Sequence, residues 1–216
     1  MGPRLPLGHR PRRPRRHLDG GRPLNTLRPT PSHTVGPFYG YALPFPGGGD
    51  VAPAGHPDTI TVHGRVLDGE GAPVPDALVE VWGPGPDGEL PRTGGSMRRD
   101  PVTGGHLGRN GTDFTGFGRV PTDADGHWAV RTLRPGARGD NAPYLSVCLF
   151  ARGLTHHLFT RVHLPENTDA LAADPLLASL DPARRATLVA QAGPRGTYRF
   201  DIRLQGEGET VFLEFT

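Results

Sequence analysis

Three imidazoles, His156, His157 and His163, fall close together in the chain, and histidine is both a common metal ligand and a proton carrier near neutral pH. Adjacent side chains on a strand point to opposite faces, however, so His156 and His157 do not converge on one ion, and no metal site is expected there. Asp123, Asp125 and Gly126 put carboxylates beside a glycine, but the run DADG reads as a turn and not as a calcium loop. The glycine-rich stretch 104–111 lacks the strand–loop–helix setting and the Lys of a phosphate-binding loop, which argues against nucleotide chemistry. Cys148 is the one cysteine, which excludes an intrachain disulfide and a multi-cysteine zinc site; in its apolar stretch it reads as an inert buried thiol.

Any chemistry must be held in place by short strands. Gly and Pro number 32 and 25 of 216 residues and alternate with short runs of Val, Leu, Phe and Thr, the pattern of many strands joined by turns. Alternating segments predict strands over 59–68, 77–83, 117–123, 127–133, 144–153 and 157–164, with YLSVCLFARG the most apolar and therefore central. LAADPLLASL and DPARRATLVAQ are the only helical material expected; Asp181 is a suitable N-cap and Pro182 fits the first helical position. TYRFDIRLQGEGETVFLEF predicts two strands around a Gly turn. Residues 84–116 read as one long loop, a length typical of functional or partner-ordered segments. The fold expected is all-β, a two-sheet β-sandwich with a short helical insertion before the C-terminal strands. Its parts are a basic, disordered tail over 1–29, an extended arm over 30–57 packing on the domain or a partner, and the sandwich over 58–216.

All 24 basic side chains are Arg, which points to a GC-rich genome and not to a chemical requirement. The first 23 residues hold seven Arg against one Asp, so with a total of +2 the rest of the chain is mildly acidic. Such a stretch cannot bury enough apolar surface to order itself. It fits a disordered tail, or a start placed too far upstream, better than a nucleic-acid-binding arm. No apolar core follows these Arg residues, so a secretory signal is not expected, nor is a membrane span. The expectation is a soluble cytoplasmic protein.

The runs GRVLDGEGAPVPDALVEVW, FGRVPTDADGHWAVRTLRPG and APYLSVCLFARG together resemble the intradiol ring-cleavage dioxygenases, and the similarity covers residues 31–216. That resemblance implies a sandwich built around a ferric ion held by two Tyr and two His. Matched to the family's motifs, the four ligand positions are Leu90, Trp128, Leu145 and Val147, none of which offers a lone pair to a metal. This departure implies the iron-free alpha chain of the family's two-chain, protocatechuate-cleaving members. TPSHTVGPF, APYLSVCLFARGLTHHLFTR and YRFDIRLQGEGETVF resemble such alpha chains directly. The Fe(III) would then be carried by a homologous beta subunit, with protocatechuate and O₂ as substrates. Thr34, Gly36, Pro37 and Phe38 of the arm, with Arg152, would border the partner's pocket, Arg152 holding the substrate carboxylate. No catalytic residue is expected on this chain. The alternatives are a free-standing binding module, an iron-free scaffold homologue, and, for Arg152 alone, a structural ion pair.

Overall fold

The computed structural model describes residues 33–34, 36, 38–91 and 97–215; the tail expected over 1–29, and Pro37, lie outside the described residues. In chain order the elements are α1 (Tyr39–Ala42), β1 (Thr59–Leu67), β2 (Leu78–Trp82), β3 (Met97–Arg99), β4 (His106–Arg109), β5 (Phe117–Pro121), β6 (His127–Leu133), β7 (Tyr144–Phe150) and β8 (Leu158–His163). There follow α2 (Thr168–Ala173), α3 (Pro175–Ser179), α4 (Pro182–Ala186), β9 (Gln191–Ala192), β10 (Thr197–Arg199) and β11 (Ile202–Arg203). Among the described residues no helix is long and apolar enough to cross a membrane.

Two sheets face one another, as the sequence predicts for a sandwich. In the first, β1 pairs antiparallel with β6 and parallel with β10 and β11, while β9 lies outside β10. In the second the order is β5-β2-β7-β8, all antiparallel, with β7 in the interior. Period-two alternation turns one face of each strand inward. Val62, Val66, Trp128, Val130, Tyr198 and Ile202 from the first sheet thus meet Val79, Val81, Leu145, Val147, Leu149 and Val162 from the second. The two sheets bury these side chains in one apolar layer, which drives the fold. At Gly64 the approach of β1 to the β10–β11 chain is so close that a Cβ would sit 1.8 Å from the Phe200 carbonyl oxygen.

The helical insertion follows β8. Asp181 accepts the Arg184 N–H and Pro182 opens α4, as expected. Asp174 is a second, buried cap: its Oδ1 accepts the N–H groups of Leu176 and Leu177, while Oδ2 accepts the N–H of Ala142 just before β7. Leu177, Leu188 and Val211 form a small second core under these helices. The predicted DADG turn is present, with Asp123 Oδ1 accepting from Asp125 and His127 and Gly126 at a φ of 70°.

Three expectations need correction. The arm is not extended throughout, since α1 gives it one helical turn and Gly48–Val51 bonds onto both sheets: Gly48 O accepts Arg119 N, Gly49 O accepts Arg131 N, and Val51 N donates to Arg131 O. The stretch 84–116 is not one loop, because β3 and β4 pair within it. The half-buried Arg109 binds this hairpin to the body, its guanidinium donating to Gly47 O, Thr115 Oγ1 and Phe117 O and lying 5.3 Å from the Phe45 ring centroid. Finally, the predicted last strand is replaced beyond the Gly206–Gly208 turn by a bridge between Leu213 and Phe159 of β8.

Candidate functional site

Three separate segments meet at the end of β7. Phe38, the N-cap residue of α1, is 74% exposed, while the next residue, Tyr39, is buried. The Tyr39 hydroxyl donates to Asp76 Oδ1 at 3.2 Å, and Asp76 Oδ2 lies 2.7 Å from Arg152 Nη2. Burial first, and the Asp76 charge second, push the Tyr39 phenol up to about 12, so it stays a hydrogen-bond donor. The Arg152 side chain remains 68% exposed despite its ion pair. Phe38 and Arg152, two of the residues that the sequence singles out, therefore sit on segments tied together by Asp76. Thr34 is exposed, and Gly36 has a φ of 80°, a left-handed backbone that suits glycine. An added Cβ there meets nothing within 4 Å, so conformation and not space is what glycine supplies.

The ligand-equivalent positions do not form one cluster. Leu90 lines a cleft of about 130 Å³ with Trp82, Gly83, Pro84, Gly136, Arg138, Tyr144 and Ser146. Trp128, Leu145 and Val147, by contrast, point into the core and are each 1% exposed. Leu145 even fills the space beside Gly83, where a Cβ would lie 2.3 Å from it. On β7 the core takes 145, 147 and 149, while Tyr144 and Ser146 face the cleft with Leu90 and with Arg138 from the loop after β6.

The donor chemistry of this cleft does not fit a ferric ion. It offers one phenol and one hydroxyl, with no imidazole or carboxylate among its lining side chains. Two cations crowd it: Arg138 lines it, and the Arg161 guanidinium lies 4.1 Å from the Tyr144 ring centroid. Among the described residues no group of three or more His, Cys, Asp or Glu side chains could hold a metal ion. His157 packs edge-on to Phe159, with ring centroids 4.6 Å apart, whereas His163 is fully buried against Tyr144, so the histidines of this stretch do different things. Cys148 is half-buried, and burial followed by the Glu80 charge pushes its thiol up to about 12, which keeps it protonated and inert.

A family model described as dioxygenase matches residues 49–206. The chain is 39% identical over 208 residues to the protocatechuate 3,4-dioxygenase alpha chain of Burkholderia cepacia, covering 88% of this chain and 100% of that one. To the beta chain of the same enzyme from Burkholderia cepacia it is 30% identical, over 71% of this chain and 67% of that one. Among solved structures, the dioxygenase domain of a dioxygenase carbohydrate-binding protein fusion from Streptomyces sp. SirexAA-E superposes with a TM-score of 0.52 at 24% identity, covering 82% of this chain and 99% of that one. That likeness shows the shared sandwich fold.

Proposed function

This chain belongs to the intradiol ring-cleavage dioxygenase family, and we propose that within it the chain is the alpha subunit of a protocatechuate 3,4-dioxygenase. One observation carries the reading: the match to an alpha chain runs through all of that relative, at higher identity than the partial match to a beta chain. The family depends on iron. In this reading the Fe(III) is carried by a homologous beta subunit with which this chain assembles in the cytoplasm, in keeping with the lack of metal donors at Leu90, Trp128, Leu145 and Val147.

The reaction inserts both atoms of O₂ between the two hydroxyl-bearing carbons of protocatechuate, giving 3-carboxy-cis,cis-muconate with no other co-reactant. This chain's share is to shape the substrate pocket of the beta subunit. Arg152 presents an exposed guanidinium, always charged and forked, which suits the carboxylate that distinguishes protocatechuate from plain catechol. Phe38 offers an exposed ring to the apolar face of the substrate, and Gly36 and Thr34 border it.

The test is coexpression with the homologous beta chain, followed by iron content and protocatechuate turnover of the purified complex, against this chain alone. About one iron per αβ pair and activity in the complex alone are expected. A lone chain that binds iron and turns over protocatechuate would refute the reading. Failure of any beta chain to associate would favour a free-standing binding module or scaffold.

A further inference from the structure

Asp76 lies in the connection from β1 to β2 with a φ of 57°, a left-handed conformation that Asn and Asp tolerate and most other side-chain-bearing residues avoid. From there its two carboxylate oxygens reach two different segments: the hydroxyl of Tyr39 on the arm and Nη2 of Arg152 beyond β7. Gly40 packs against it too, its Cβ position 4.0 Å from Asp76 Cβ. The arm and the end of β7 are thus joined through one side chain.

We infer that Asp76 is a positioning residue, which presets the Arg152 guanidinium for the carboxylate of the substrate. The inference rests on the role proposed above for Arg152. A long exposed Arg samples many rotamers, and an anion that captures it must freeze them; a side chain already held at one nitrogen loses less. The guanidinium has five N–H donors, and with 68% of the side chain exposed it keeps donors for a second carboxylate. Asp76 also offsets the positive charge of Arg152, which by itself would weaken carboxylate binding. The two effects have opposite signs, so the sign of the change identifies the one that dominates.

The experiment uses the αβ complex carrying Asp76→Gly, Asp76→Asn, Arg152→Met or the double change Asp76→Gly with Arg152→Met. Glycine accepts the left-handed backbone, so Asp76→Gly removes the carboxylate without straining the turn. For each, kcat and KM are measured with protocatechuate and with catechol, which lacks the carboxylate, alongside iron content. Asp76→Gly is expected to cut kcat/KM for protocatechuate roughly threefold or more, through KM, and to leave that for catechol within about twofold. Asp76→Asn, which keeps an acceptor oxygen, recovers part of the loss. In the Arg152→Met background, Asp76→Gly costs nothing further, because it acts through a group already gone. An unchanged or lower KM for protocatechuate in Asp76→Gly overturns the inference, as does an equal loss on both substrates or a loss that adds to that of Arg152→Met. If Arg152→Met itself leaves the preference for protocatechuate unchanged, the assignment of Arg152 falls and this inference with it; a loss in Arg152→Met beside a silent Asp76→Gly sinks only the inference.

Discussion

Replacing Asp174 with Ala should cost this fold about 3 kcal/mol, although Asp174 touches no substrate. The side chain is fully buried and accepts three backbone N–H groups, at 2.9 Å from Leu176, 3.0 Å from Leu177 and 2.9 Å from Ala142. The first two bonds cap α3, and losing a cap costs about 1–2 kcal/mol. The third serves a buried N–H at the entry to β7; left without a partner, such a donor costs about 1–3 kcal/mol. Relief of the buried carboxylate's own desolvation keeps the sum near 3 and not at its upper limit. For a chain of this size that corresponds to a fall of about 10 °C in Tm. Asp174→Asn keeps one oxygen for the cap but turns an amide N–H toward a donor, so it should lie about midway. Urea titration followed by the fluorescence of Trp82 and Trp128 measures all three. If Asp174→Ala stays within about 1 kcal/mol of the parent, the bonds contribute little net stability and the reasoning fails.

Two further outcomes follow from the core. Burial, with Arg161 acting the same way and Asp174 and the Pro143 backbone opposing, holds the pKa of His163 below its ordinary 6.5. The unfolded chain takes up a proton there before the folded one does, so the contribution of this residue is intact above pH 6.5 and erodes as the pH falls below it. His163→Phe, stacking on Tyr144 in its place, should flatten the decline in stability between about pH 6.5 and 5, measured by urea titration at several pH values; an unchanged slope would rule His163 out as a source. Gly64→Ala should abolish soluble expression or cost more than about 3 kcal/mol, since the new methyl would overlap the Phe200 carbonyl and force β1 away from the β10–β11 chain. A soluble Gly64→Ala protein with parental Tm would show that the strands can part at little cost.

The strands were legible because their signal is local: the alternating runs of 59–68, 127–133 and 144–153 became β1, β6 and β7, with β7 inside its sheet as its apolar content implied. Asp181-Pro182 was equally readable as a helix start. Asp174-Pro175 carries the same two-residue signature, but its second oxygen bonds to Ala142, a contact no local pattern announces. The β3–β4 hairpin was hidden because its residues are Gly- and Arg-rich, and Arg109, from within β4, ties it to distant carbonyls. At the site, Arg152 was visible in the sequence but its partners Asp76 and Tyr39 were not, since they lie on the β1–β2 connection and the arm. On β7 the motif-matched Leu145 and Val147 fall on the core face, with Tyr144 and Ser146 on the other, a division set by the strand's alternation.

The bonds that the two ends of the described chain make have a consequence for how the protein meets other proteins. In the sheet ordered β5-β2-β7-β8, the outer strands present backbone groups on which a foreign strand could nucleate. Gly48 of the arm lies against β5, where its carbonyl accepts Arg119 N, while at β8 Leu213 donates to Phe159 and Val211 accepts the Thr160 hydroxyl. Phe215 then closes edge-on over Phe159, with ring centroids 5.2 Å apart. Both margins of this sheet are thereby partly covered by other segments of the chain, which disfavours growth by strand addition. Association is steered instead to faces and loops, where side chains and not a generic ladder choose the partner.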